Sequence, residues 1–260
     1  MSAAMIAQRD HGEIREVLLD RPERRNALSR SMLTEITEAV SALPAGVKAV
    51  LLTGAGPVFS AGADFADLTG TSADLAYDRD LEAACTAIRT CAVPVVAVVH
   101  GPCIGAGVEL ATSCDARIVG GAAWFRVPAV ELGLLYNPAA LRRLHTVLPR
   151  ATMTRLLVCA ERFDARDAVA GGLATHYTDD DPQPVGLGLA RSLADLPTEA
   201  LSATRTLVRH LDEGNYDGAE WERVRVRLMD SRARREAVTS SAFRNTDIAA
   251  KTPTMNKDSI

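Results

Sequence analysis

Phe59-Ser60-Ala61-Gly62-Ala63-Asp64 and, further along, Gly101-Pro102-Cys103-Ile104-Gly105-Ala106-Gly107-Val108-Glu109-Leu110 decide how this chain folds. Each block follows an apolar run that reads as a buried strand, Ala49 to Thr53 before the first and Val95 to Val99 before the second. Each is rich in small residues, which let a backbone come close to a ligand. Each also leads into a helix start, where free N–H groups and the helix dipole favour negative charge. Two such turns facing one point hold an oxyanion between two backbone donors. Glu109 lies one helical turn past the second turn, which places a carboxylate beside that point. The combination is suited to stabilising an enolate and moving a proton next to it.

Outward from these blocks, short apolar strands alternate with helices. Ile14 to Leu19 reads as a strand, and Ser29 to Ala42 as a helix with Met32, Leu33, Ile36, Ala39, Val40 and Leu43 at helical spacing. Asp78 to Thr90 is a second amphipathic helix, Gly105 to Thr112 opens a third, and Ala116 to Val119 is a strand. The pattern predicts an α/β fold with parallel sheet under covering helices. By itself it leaves a doubly wound sheet, a barrel and a spiral open. Beyond residue 183 the strand signal ends. Pro184 to Leu196, Thr198 to Asp212 and Tyr216 to Ala237 read as helices, the second capped by Thr198. The domain reading is a core over 1–183 and a helical region over 184–260.

At 260 residues the chain can form one large domain or a domain with a small extension. A hydrophobic content of 47% and a formal charge of −4 fit an ordinary globular protein, and the mild acidity argues against nucleic acid as a partner. The basic run Arg223 to Arg235 alternates with apolar residues and reads as one solvated helix face. No stretch is long and apolar enough to predict a membrane span, and the N-terminus lacks a secretory pattern. Cys85, Cys91, Cys103, Cys114 and Cys159 are odd in number and unpaired in spacing, as expected for reduced thiols in a cytoplasmic protein. Neither they nor His100, His145, His176 and His210 have metal-ligand spacing. Cys103 lies in the second block, but a nucleophilic role needs a base and a lowered pKa.

Five segments in order resemble the crotonase superfamily, the enoyl-CoA hydratase/isomerase family. They are Leu19-Asp20-Arg21-Pro22-Glu23-Arg24-Arg25-Asn26-Ala27-Leu28-Ser29, the two blocks above, Cys114-Asp115, and Phe125 to Tyr136. Thr175 to Thr178, after Ala170-Gly171-Gly172-Leu173, matches the strand that closes that family's core. The resemblance implies a ββα spiral over 1–183 that binds acyl-CoA. It implies a C-terminal helical region over 184–260 that assembles a homotrimer or a dimer of trimers. CoA would arrive as part of the thioester substrate, with no metal or redox cofactor.

Residue by residue, the resemblance assigns the oxyanion donors to the N–H groups of Ala61 and Ala106, and the principal acid/base to Glu109. Apolar surroundings would raise the pKa of Glu109 toward neutrality. The second glutamate of a hydratase should follow Pro128, where this chain has Ala129. Glu131, two residues on, keeps the same face if the stretch is extended and is the candidate substitute. Tyr136-Asn137 after Gly133-Leu134-Leu135 partially resembles the methylmalonyl-CoA decarboxylase branch, although that branch has histidine where this chain has Ala63. For CoA the resemblance points to Arg24 and Arg25 near phosphate and to Ala27 along the pantetheine channel. It points to Ala61, Gly62, Ala63 and Asp64 around the adenine, with Phe243 approaching it. The lysine expected three residues after Phe243 is Thr246. Capping of the next helix is the competing role for Asp64. Gly105-Ala106-Gly107 also has the look of a dinucleotide turn, but no acidic residue follows about twenty positions on to take a ribose hydroxyl. The functional reading is a hydratase/isomerase-type enzyme with a reduced acid–base set. Decarboxylation using Tyr136 and acyl-CoA binding without turnover are its rivals.

Overall fold

Nine strands occur among the described residues, 4–240, of the computed structural model: β1 (Ile6–His11), β2 (Ile14–Leu19), β3 (Ala49–Gly54), β4 (Val95–Val99), β5 (Pro102–Ile104), β6 (Ala116–Gly120), β7 (Trp124–Arg126), β8 (Phe163–Asp164) and β9 (His176–Thr178). The larger sheet runs β1-β2-β3-β4-β6-β9 and is parallel from β2 onward, with β1 antiparallel at its edge. The smaller sheet is β5-β7-β8. β4 belongs to the large sheet and the next strand, β5, to the small one. β6 and β7 repeat that step, so the chain winds between two sheets as a spiral. Every residue of Val95–Val99 is buried, as are the first five of Ala49–Gly54. Strands covered on both faces carry such unbroken apolar runs. His176–Thr178 pairs with β6 and closes the sheet where the resemblance places a closing strand.

The helices are α1 (Arg30–Ser41), α2 (Leu75–Thr90), α3 (Ala106–Thr112), α4 (Pro138–Val147), α5 (Arg150–Met153), α6 (Ala165–Ala170), α7 (Pro182–Ala194), α8 (Thr198–Glu213), α9 (Gly218–Met229) and α10 (Arg232–Thr239). Ser29 caps α1 by accepting the Met32 N–H, and Met32, Leu33, Ile36, Ala39 and Val40 face inward, as their spacing predicts. They share a core with Leu81, Ala84, Cys85 and Ile88 of α2 and with Val108, Leu110 and Ala111 of α3. On the other face of the large sheet, Ile14, Leu51, Val96, Val98 and Ile118 pack against Ala190 and Ala194 of α7. Gly186 lets that helix lie on the strands, because a Cβ there would collide with Val98. Buried Glu16 pins the same layer, accepting from Thr53 Oγ1 at 3.0 Å and from Gln183 Nε2 at 2.9 Å.

These contacts correct the boundary at 183. It falls at the start of α7, which belongs to the sheet's outer layer, and the compact unit extends through Asn215. Tyr216 begins a second unit, which contains α9 and α10. The single helix expected over Tyr216 to Ala237 is two, broken at Asp230-Ser231, where Ser231 turns to cap α10 through the Arg234 N–H. Thr198 is the first residue of α8 and not its cap. No helix among the described residues is long and apolar enough to cross a membrane.

Candidate active site

The first block leaves β3 and is stitched to the second by backbone. Ser60 N–H donates to the Pro102 carbonyl at 3.1 Å, and Ile104 N–H donates to the Ser60 carbonyl at 3.0 Å. The Ser60 hydroxyl donates to the Asn26 carbonyl at 2.9 Å and accepts the Gly62 N–H at 3.1 Å. Asn26 is fully buried, and its amide holds the Ala55 and Val58 carbonyls at 2.9 and 2.7 Å. The first motif of the chain is therefore the frame on which the block is built. Gly62 has φ +90°, and a Cβ there would sit 2.7 Å from the Ile104 carbonyl oxygen and 3.5 Å from the Ala106 nitrogen. Only glycine lets the first turn touch the start of α3. From the other side, a Cβ on Gly107 would come within 2.9 Å of Ser60 Cβ. The two blocks thus converge through their glycines.

The converging N–H groups differ by one residue of the pair from the expectation. Ala61 N–H donates to the Arg25 carbonyl at 2.9 Å, so it is consumed within the fold and is not a free donor. Ala63 pairs with Leu28 as a parallel bridge, with Leu28 N–H on the Gly62 carbonyl and Asp64 N–H on the Leu28 carbonyl. In that pairing the N–H of Ala63 itself lies on the opposite edge of the chain. It has no acceptor among the described residues. The N–H of Ala106, the other group expected to donate, likewise has no backbone acceptor among the described residues. Ala106 is the first residue of α3, whose N-cap Gly105 supplies no side chain to satisfy it.

Glu109 is 3% exposed on a helix whose inner residues are otherwise apolar. Burial pushes its carboxyl from 4.5 up to about 7, against the opposing pull of the Tyr136 hydroxyl and the Arg143 guanidinium. The Tyr136 hydroxyl donates to the Gly105 carbonyl at 3.1 Å, next to the Ala106 donor. Burial and the Glu109 charge together raise Tyr136 well above the ordinary phenol range. Glu109, Ala106, Ala63 and Tyr136 therefore belong to one site.

Glu131 does not join them. Hydrogen bonds from Glu131 and Leu132 N–H to the Pro128 carbonyl, and from Leu134 N–H to that of Ala129, coil the segment. The two-residue spacing that would keep a strand's face is lost. Val127 and Ala129 are buried, while Glu131 turns outward and pairs with Arg126, its side chain half exposed. Asp64 takes its capping role, accepting the Ala66 N–H at 3.1 Å, and it also binds Arg21 Nη1 at 2.8 Å. Burial alone would raise its carboxyl, but Arg21 and the Ala66 N–H hold it below the usual value. Arg24 is exposed, and half-buried Ala27 gives its carbonyl to Arg21 at 3.1 Å. Cys103 is fully buried and its thiol is pushed far up by desolvation, the opposite of what a nucleophile needs. Phe243 lies outside the described residues.

Two residues of the site carry no sequence signal. Arg143 Nη2 donates to Glu109 Oε2 at 2.9 Å, and Arg143 Nη1 pairs with Glu82 of α2. All three line a cavity of about 500 Å³ between α2, α3, α4 and the end of α8. Thr112 and Ser113 are among its walls, whereas Ala63 and Ala106 are not.

The sequence profile described as enoyl-CoA hydratase/isomerase matches residues 9–232. A Mycobacterium tuberculosis protein with the name probable enoyl-CoA hydratase is 37% identical over 157 residues, which are 60% of this chain and 63% of that protein. This chain thus spans less than two thirds of that relative's length. A Rattus norvegicus mitochondrial Delta(3,5)-Delta(2,4)-dienoyl-CoA isomerase is 34% identical over 194 residues, 68% of this chain and 59% of the isomerase. Among solved structures, an enoyl-CoA hydratase/carnithine racemase from Magnetospirillum magneticum superimposes with a TM-score of 0.84 at 29% identity, covering 94% of this chain and 93% of the other.

Proposed function

The chain belongs to the enoyl-CoA hydratase/isomerase family, and from that premise we propose that it moves a proton beside the carbonyl of an acyl-CoA thioester, with Glu109 as its single carboxylate acid/base. The thioester oxygen sits between the N–H groups of Ala63 and Ala106, and negative charge developing there as Cα loses its proton is met by donors already in place. Glu109 takes that proton and returns it, to Cα or to the γ-carbon of an enoyl chain. The observation that carries this reading is a buried carboxyl raised to about 7, one turn beyond a free helix-start N–H. A pKa near working pH lets one group serve as base and then as acid. Hydration is the poorer match, because the residue after Pro128 is Ala129 and Glu131 turns outward, so neither position supplies the second carboxylate that would hold the water.

Decarboxylation is the second reading, favoured by the Tyr136 hydroxyl between the Gly105 carbonyl and Glu109. In that case loss of CO₂ generates the same enolate, and Glu109 or Tyr136 delivers the proton. The exposed Val208 and Leu211 of α8 support assembly into the trimer that the family resemblance implies. The deciding experiment follows saturated, 3-enoyl and malonyl-type acyl-CoA thioesters by NMR in D₂O. Deuterium entering at Cα, with migration of the 3-enoyl double bond, supports the proposal. CO₂ release without exchange of the saturated thioester favours decarboxylation. Tight binding with neither reaction means a protein that holds acyl-CoA without turning it over.

A further inference from the structure

Glu109 is surrounded on three sides by groups that act on its charge. Tyr77, Asp78, Glu82 and Cys85 come from α2, Tyr136 from the segment before α4, and Arg143 from α4 itself. Of these only Arg143 is a cation, and it is shared. One guanidinium nitrogen binds Glu82 and the other binds Glu109 Oε2, which leaves Oε1 of Glu109 unpaired by arginine. Arg143 is mostly buried, its side chain 19% exposed, while that of Glu82 is 33% exposed and faces the cavity.

We infer that Arg143 is a positioning residue for Glu109, fixing Oε2 so that Oε1 is the oxygen that exchanges the proton, and that Glu82 sets how strongly Arg143 holds it. The inference rests on the reading of Glu109 as the acid/base. Charges count heavily in this poorly solvated place. Glu82 and Arg143 cancel, so the trio is neutral when Glu109 carries its proton and bears one net negative charge when it does not. Arg143 favours the ionised form and orients it. Glu82 draws part of that attraction away and keeps the proton within reach of neutral pH. An arginine bound to Glu109 alone would hold the carboxylate ionised and spoil it as an acid. The fork geometry suits the task, because a planar guanidinium can meet two carboxylates at fixed angles where an ammonium cannot. The cavity lets water reach the Glu82 side of the trio.

The two partners should move Glu109 in opposite directions, which a merely structural ion pair would not do. Protein carrying ¹³C-labelled glutamate is titrated by NMR, with the Glu109 carboxyl signal identified by its loss in Glu109→Gln. Glu82→Gln should lower the Glu109 midpoint by about one pH unit, and Arg143→Met should raise it by about one unit or more. Arg143→Lys should restore the midpoint more fully than it restores kcat, because the charge returns but the fork does not. In all three variants KM for acyl-CoA should stay within about twofold, since neither residue touches the CoA-binding loops. If Arg143→Met does not fold, Glu82→Gln alone decides, being a neutral replacement of a partly exposed side chain. An unmoved or raised midpoint in folded Glu82→Gln overturns the inference. Full turnover in Glu109→Gln would instead remove the acid/base reading itself, so the two failures are distinguishable.

Discussion

Glu109 and Glu131 show what a fold does with two copies of the same side chain. Glu109 sits on a seven-residue helix with apolar neighbours and is 3% exposed. Glu131 sits in a coiled segment, half exposed, on Arg126. Burial leaves the first with a proton near neutral pH, while solvent is free to screen the second. The spacing of Ala129 and Glu131 would point both to one face only if the backbone were extended. The Pro128 carbonyl, by accepting two N–H groups, turns the chain and sends Glu131 outward. Proton-transfer capacity therefore follows from where the backbone carries a carboxylate, and a motif position two residues away is no substitute.

The two glutamates should differ most at the chemical step. Glu109→Gln should cost on the order of 10²–10⁴ in kcat for Cα exchange or double-bond migration, the usual worth of a positioned acid/base. Acyl-CoA affinity should hold, because the donors are backbone groups. Glu131→Gln should change kcat by less than about twofold, as expected of an exposed ion pair. Steady-state kinetics with calorimetric titration of acyl-CoA gives both numbers. Equal losses in the two variants would place Glu131 in the mechanism.

The same contrast appears in stability against pH. In the folded chain Glu109 is raised from 4.5 to about 7, so between those values the native state holds a proton that the unfolded chain has released. Its contribution is fully present below about pH 4.5 and is lost as pH rises through 7. The 2.5-unit difference amounts to up to about 3 kcal/mol. Urea unfolding at pH 5 and pH 8 should show Glu109→Gln gaining on the parent as pH rises, while Glu131→Gln tracks the parent. A flat difference across that range would mean that Glu109 is not held protonated.

Much of this was legible in the residues. Unbroken apolar runs predict β3 and β4, and 3.6-residue spacing predicts α1, because burial on both faces and on one face leave different marks. β1 leaves no such mark, because Ala7 to Asp10 form a mostly exposed edge strand with little apolar patterning. β5, β7 and β8 have three residues or fewer, too short to show a period. The first block marks a turn suited to an oxyanion, but which N–H is left free there depends on the Arg25 carbonyl, a contact made only in the folded chain. Arg143 and Glu82 are separated by 61 residues, and helix packing alone brings them to one carboxylate.

A second carboxylate can be supplied at position 129, where the side chain is already buried. Ala129 is 5% exposed, whereas Glu131 is directed away. Ala129→Glu should raise kcat for hydration of crotonyl-CoA by about tenfold, the low end of what an added acid/base contributes. Two carboxyls close together cannot both ionise easily, so one of the pair gains a higher pKa and becomes the proton donor while the other aligns water. The substitution also places a charged group at a buried position, so part of the gain is offset by lower stability. kcat must therefore be measured on protein shown to be folded and to bind acyl-CoA. Glu131→Ala in the same background should leave the gain intact. If Ala129→Glu folds, binds and hydrates no faster, inward placement of a second carboxylate is not enough. The site is then shaped for enolate chemistry without water, which is the outcome that one-carboxylate proton transfer and decarboxylation both expect.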